Sequence, residues 1–493
     1  MSRILLLLVI VLWMCRTQVP SFQRPMGYSQ GAGLFVAGLL LVVLFMGLWS
    51  RVLARHVRGE TLHRSLQRFH KSMFVARLLI PVWFGVAIFA LGWGELVSRM
   101  LGPIDRWPVD LPGVIVGTMP AFLAWMALWW AQFPADRALR EQSTIIALNE
   151  GLPVRSPPTF WSYFSANVRL QVLFTVVPVA LIILAHDLAS LGLWQWGRVD
   201  LRSPVPPTSK IMMIELGVQL ASIGLVVFFA PEVLRRVLHT QPLPDSPLRR
   251  RLEELCRRTG LEYREILLWK TNYYVCNAAV MGLTRRMRYI LLSDMLIETM
   301  TDRQIQAVFA HEIGHVKHWH MGWYVVLFAT LLLACFGPGQ LLDEQLNRLP
   351  LPAWASMDAL KGAVAFMGIA GFFMLFGYVS RSFERQADLF AARTMQALDS
   401  PPAPMHTCAS LDPYGAAAFI AALHRVAMVN NIPISARNFT HGSIAQRVRY
   451  LQSLSSDPAG ALRFDRAMSL LNASLLFAML SCGAWVLVAL TVR

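Results

Sequence analysis

Apolar runs of bilayer length alternate along the chain with polar stretches, and this rhythm predicts a set of membrane-spanning helices. The runs fall at 33–49, 73–97, 113–133, 168–189, 211–230, 321–337, 362–379 and 467–490. Each has about the 17–25 residues that a helix needs to cross a hydrocarbon core. A shorter run, Ile4 to Met14, follows Arg3. It fits a first anchor or a signal-peptide core; no small-residue cleavage site follows it, which favours the anchor. With that segment the expected number of spans is nine.

Two long polar segments, 231–320 and 380–466, interrupt the pattern and carry helix and strand signals of their own. In the first, Pro242 to Pro247 reads as a linker, and Leu248 to Thr259 as a basic helix closed by Gly260. Residues 266–269, 279–281 and 289–292 read as short strands of a small sheet. Thr301 and Gln304 form a capping box, with Ile305, Val308, Phe309 and Ile313 at helical spacing behind it. In the second, Arg381 to Leu398 has helical composition and 400–404 is a Pro-rich loop. Asp412 before Pro413 starts another helix, and Ser443 with Gln446 caps a last amphipathic one. The fold class expected is therefore mainly α: a polytopic helical membrane protein bearing one α+β lobe. Its parts are a multi-span region (1–230), the first piece of the lobe (231–320), a transmembrane hairpin (321–379), the second piece (380–466) and a terminal span (467–493).

Composition supports this reading. The chain is 55% hydrophobic and only 15% charged, against about 25% charged in soluble domains. The net charge of +16 could indicate nucleic acid, but no aromatic-plus-basic binding pattern accompanies it. The basic residues follow the loops instead. Arg51, Arg55, Arg58, Arg64, Arg68 and Lys71 crowd 50–72, whereas 98–112 holds only Arg99 and Arg106. The positive-inside rule then places 50–72, 134–167, 231–320 and 380–466 in the cytoplasm. The expected setting is an inner or cytoplasmic membrane, with the lipid bilayer as partner and no nucleic acid. Six scattered cysteines without a C-x-x-C pair read as buried thiols.

Candidate chemistry centres on His311-Glu312-Ile313-Gly314-His315. Residues i and i+4 share a helix face, so His311 and His315 can direct two imidazole nitrogens at one metal ion. Glu312 can reach a water beside that ion, which suits zinc-assisted peptide hydrolysis. A third ligand is needed. His318 lies about 10 Å along the helix from His311, too far to share an ion, and His320 is expected to point elsewhere. Glu384 follows the span at 362–379 just as the two histidines precede the span at 321–337, so the hairpin can bring them together. Asp388, one turn on, is spaced to accept a hydrogen bond from a ligand imidazole. The other reading of Glu384 is an ion pair with Arg381 or Arg385 on a solvated face.

The two motifs, with Ser380, Arg381, Phe383, Gln386 and Ala387 around Glu384 and Asp388, resemble those of the membrane-embedded zinc metallopeptidases. That family includes the type I CAAX prenyl endopeptidases and the HtpX-type proteases. Asn277 to Gly282 is similar to its N-A-x-x-x-G edge strand, and the resemblance covers roughly 260–455. It implies one catalytic zinc held by His311, His315 and Glu384 in a gluzincin-like lobe, with Glu312 as general base and a cytoplasmic active site. Asn277, Ala278 and Gly282 would bind an extended protein or peptide substrate. His441 and Arg447 resemble the family's late H-P-x-x-x-x-R segment and are candidates for stabilising the oxyanion, with Gly442 in the place of the usual Pro. Phe383 and Gln386 lean towards the prenyl-endopeptidase branch, whereas the run at 467–490 departs from its usual ending. The expected function is a zinc metalloendopeptidase acting on peptides or proteins, membrane proteins among them. The competing class is a transporter or scaffold with a structural metal.

Overall fold

The computed structural model describes residues 2–17, 27–102, 109–149, 151, 156–196, 209–336, 342, 345, 346, 348, 357–399, 410–457 and 459–492. They form two compact units, Met1–Thr240 with Trp269–Val275, and Gln241–Leu268 with Cys276–Arg493. The Pro-rich loop expected at 400–404 and Cys408 lie outside the described residues.

The first unit is helical: α1 (Ser2–Met14), α2 (Tyr28–His56), α3 (Leu62–Phe89), α4 (Trp93–Leu101), α5 (Leu111–Asn149), α6 (Phe160–Asn167), α7 (Phe174–Trp196) and α8 (Ser209–Val237). Trp13, Phe35, Phe84, Trp125 and Trp129 are buried between helices. The outward face of α2 is apolar as well: Leu41, Leu44, Phe45 and Leu48 are each more than 60% exposed. A helix apolar on both faces is a membrane helix. The run at 73–97 is not one helix. α3 ends at Phe89, and Gly92 at φ 76° turns the chain into α4. The segment Trp269–Val275 also belongs here, with the Arg140 guanidinium over the Tyr274 ring at 4.5 Å.

Among the described residues, six helices are long and apolar enough to cross a membrane, by length and composition. They coincide with the runs expected at 33–49, 113–133 and 168–189, and overlap those at 73–97 (to Phe89), 211–230 and 467–490. The run 321–337 belongs to a helix bent from its predecessor by 44°, a pair that counts as a seventh if taken as one span. The run 362–379 forms the first half of a longer helix, and α1 is short, with Leu6, Val9 and Trp13 buried.

The second unit holds a four-stranded sheet in the order β1-β2-β4-β3, formed by β1 (Thr240–Pro242), β2 (Glu265–Trp269), β3 (Ala278–Met281) and β4 (Tyr289–Ser293). β3 runs antiparallel to β4, with Ala278 opposite Leu292 and Met281 opposite Tyr289. It ends the sheet, as expected of an edge strand; β1 was not expected, since the prolines beside it suggested only a linker. The described helices of this unit are α9 (Pro247–Thr259), α10 (Asp294–Thr299), α11 (Asp302–Lys317), α12 (His320–Phe336), α13 (Met357–Asp399), α14 (Pro413–Val429) and α15 (Ile444–Ser455). The terminal helix α16 (Gly460–Val492) completes the unit, its Met468 and Leu475 buried with Leu327 of α12 and Val379 of α13.

The caps read from the sequence are all present. Thr301 and Ser443 each close a capping box, Asp412 accepts from Gly415 N–H, and Gly260 ends α9 in the left-handed region. Leu252, Ile266, Ile290, Leu292, Ile305, Phe309, Ile313, Leu389 and Phe419 fill the core. Among the described cysteines Cys256 and Cys276 are buried thiols, but Cys335 is exposed, because it faces outward from an apolar helix.

Candidate metal centre and active site

α11 is buried on two sides: Ile305, Phe309 and Ile313 pack into the core, and the opposite side carries His311 and Gly314. The i,i+4 spacing brings the two rings together: His311 Nε2 and His315 Nε2 are 3.2 Å apart. α13 supplies the acid. It is one uninterrupted helix of 43 residues, so the turn bearing Glu384 and Asp388 is a rigid extension of the segment expected to span. Glu384 Oε2 lies 3.7 Å from His311 Nε2, and its Oε1 lies 3.6 Å from His315 Nε2. Phe419 stacks on the His311 ring at 5.6 Å and holds its plane.

These three side chains could hold a metal ion, since one ligand atom from each lies within 4.8 Å of the others. The donors fit zinc. Two nitrogens bound to one tetrahedral ion at about 2.0–2.1 Å sit roughly 3.3 Å apart. Two neutral imidazole nitrogens facing each other at this distance need a proton or a cation between them. Glu384 Oε2 is buried and has no hydrogen-bond partner among the described residues. A second grouping, Asp110, His186 and Asp187, occurs in the first unit. There both Asp187 oxygens already accept backbone N–H groups, from Asp110 and Leu111 at 2.9 Å, so it reads as the cap of α5.

Behind the ligands, His311 Nδ1 is 3.0 Å from Asp388 Oδ1, in contact though not aligned as a good hydrogen bond. Asp388 is fully buried and receives a fork from Arg447, with Nε donating to Oδ2 at 2.8 Å. Arg447 also stands 3.6 Å from Glu384 Oε2. His441 Nδ1 is 2.7 Å from Glu384 Oε1, on a ring that is half exposed. The structure thus gathers His311, Glu312, His315, Glu384, Asp388, His441 and Arg447 around one point. Arg447 contacts the carboxylates from behind.

The charges follow from these contacts. Burial pushes the Glu384 carboxyl up, but His441 and Arg447 outweigh it and hold the group well below its usual range. Burial likewise opposes ionisation of Asp388, and Arg447 reverses the effect. Glu312 goes the other way: burial drives it up to about 7, only partly offset by His311 and by a backbone hydrogen bond from Val280. That bond joins the carboxylate to the middle of β3. Asn277 is exposed at the start of that strand, Ala278 is buried against the core, and Gly282 ends it at φ 98°.

One expectation needs correction. His320 does not point elsewhere: it is buried, its Nδ1 is 2.8 Å from His315 Nδ1, and its Nε2 is 2.9 Å from Gln386 Oε1. The cause is the break after α11. Trp319 adopts φ 55° and α12 leaves at 44°, so a continued helical periodicity misplaces the ring. The missed signal is the third histidine of H-E-x-x-H-x-x-x-x-H.

Residues 242–455 match the model of peptidase family M48. The chain is 28% identical over 169 residues to the CAAX prenyl protease 1 homolog of Arabidopsis thaliana, covering 33% of this chain and 40% of that one. It is 28% identical over 130 residues to the protease HtpX homolog of Aeropyrum pernix, covering 26% and 40% respectively. The match thus spans about two fifths of the length of these relatives. The crystal structure of Ste24p from S. mikatae aligns over 85% of this chain and 98% of its own, with 17% identity and a TM-score of 0.41. The resemblance read from the motifs stands: residues 242–455 match peptidase family M48, in a chain whose described residues include six helices long and apolar enough to cross a membrane.

Proposed function

We propose that this chain is an integral-membrane zinc metalloendopeptidase. The observation that carries the reading is the meeting of His311, His315 and Glu384, with Glu312 between them and the edge strand. Zinc bound by those three residues would supply Lewis acidity, polarising the scissile carbonyl and making water a stronger acid. Glu312 accepts the proton of the attacking water and passes it to the leaving amine. A carboxyl raised towards neutrality suits that exchange, although a bound dication draws its pKa down again.

Substrate is read as an added strand on β3, where main-chain pairing binds many sequences and Val280 leads directly to Glu312. Asn277, Ala278 and Gly282 frame that edge. His441 is the candidate to meet the developing oxyanion. It already contacts Glu384 through Nδ1, so this role needs a proton on Nε2. Arg447 neutralises the buried acids and holds them in place. The distribution of basic residues among the loops supports a cytoplasm-facing site in an inner or cytoplasmic membrane, acting on peptides or proteins, membrane proteins included.

The scaffold or transporter reading is weaker. A structural zinc takes four protein ligands, and among the described residues the metal-competent group contributes three. Glu312→Gln tests the assignment. The variant should retain zinc while cleavage of a casein-like or membrane-protein substrate falls by about 10²–10⁴-fold. Undiminished cleavage rejects Glu312 as the base.

A further inference from the structure

We propose that His320 and Gln386 are positioning residues that set the protonated nitrogen of His315 through a one-way hydrogen-bond relay. The inference rests on the zinc-site reading and goes beyond its ligands. His315 turns Nε2 towards His311 and Glu384. A metal-binding nitrogen carries no proton, so the proton of the neutral ring is on Nδ1. That nitrogen is 2.8 Å from His320 Nδ1, which must accept. The His320 proton is then on Nε2, 2.9 Å from Gln386, whose carbonyl oxygen accepts it. Each step dictates the next, and every group ends with one role.

The relay is held rigidly. His320 is 1% exposed and its ring lies on Phe383 at 4.3 Å with planes 6° apart, so it cannot turn without leaving the stack. Gln386 is two residues from Glu384 on α13, so the helix that supplies the acid ligand also supplies the last acceptor. The two histidine ligands are thereby made unequal. His311 has the ionised Asp388 behind it, whereas His315 has a neutral imidazole and a neutral amide. A neutral partner fixes the tautomer without adding another negative charge beside Glu384, Glu312 and Asp388.

The test uses the full-length protein in detergent, with zinc affinity measured by competition with a chelating indicator. The melting temperature of the metal-free protein is followed in parallel. His320→Phe keeps the ring stack but removes the acceptor, and should weaken zinc binding by about 10–100-fold. Gln386→Leu should weaken it in the same direction by a smaller factor, and Gln386→Glu, which keeps an acceptor oxygen, should retain about the wild-type affinity. Wild-type zinc affinity in His320→Phe overturns the relay. So does an affinity loss that follows a collapse of the metal-free fold and is shared by Gln386→Glu. These results leave the metallopeptidase reading intact; failure of the wild-type protein to take up zinc would sink both.

Discussion

Arg447 and Asp388 show how much of the site depends on charges buried behind the candidate ligands. Asp388 is wholly buried, and Arg447 supplies its main compensation. Removing one partner of a buried ion pair leaves an uncompensated charge and costs about 3–5 kcal/mol, whereas replacing both by apolar groups is often close to neutral. Arg447→Leu should therefore lower the melting temperature more than Arg447→Leu combined with Asp388→Leu. A double variant no more stable than the single one would show that the pair is not what holds α13 to α15. The same residues mark the limit of sequence reading at this scale. The spacing from Glu384 to Asp388 was legible because one helical turn is a local fact. That Arg447 would close on Asp388 from 59 positions away was not, because nothing local fixes their meeting; the family pattern singled out Arg447 only as a candidate for the oxyanion.

α11 and α13 come together at a glycine. A Cβ on Gly314 would stand 3.0 Å from Ala387 Cα and 3.2 Å from Phe390 Cβ. Gly costs an interior helix position about 1 kcal/mol relative to Ala, so its presence within the H-E-x-x-H turn is explained by approach rather than by helix stability. The close contact is what lets Glu384 reach two histidines on another helix. Gly314→Val should part the helices and weaken zinc binding at least about tenfold, because coordination distances tolerate only about 0.2 Å. Zinc affinity equal to wild type would refute this account. The elements themselves were largely legible. Caps such as Thr301–Gln304 and Ser443–Gln446 are local, and the strand at 289–292 is a short apolar run between turns. What escaped was geometry at element ends: the left-handed Gly92 that splits the run at 73–97, and the bend at Trp319 that turns His320 back upon the site. Hydropathy measures how apolar a stretch is and cannot register a single backbone turn within it.

At the scale of the whole molecule, the described residues hold one core among membrane helices and another around the sheet, besides the cluster where α12, α13 and α16 meet. The spans were legible because 18 or more apolar residues leave few alternatives; which side each loop faces depends on charge alone. The six basic residues in 50–72 weigh most, since the rule acts chiefly on short loops. They predict that Gly59, between α2 and α3, and Ser456, at the end of α15, face the cytoplasm. Single cysteines introduced at Gly59 and Ser456 in a cysteine-depleted background test this with a membrane-impermeant maleimide. Neither should react in intact cells, and both should react in inverted vesicles. Labelling of Ser456→Cys from outside would move the metal site to the opposite compartment, and cytoplasmic proteins would cease to be candidate substrates. Labelling of Gly59→Cys alone would leave the site in the cytoplasm and require an odd number of crossings between the two positions. That would show that the charges of the long polar segments, rather than those of 50–72, set the orientation of this chain.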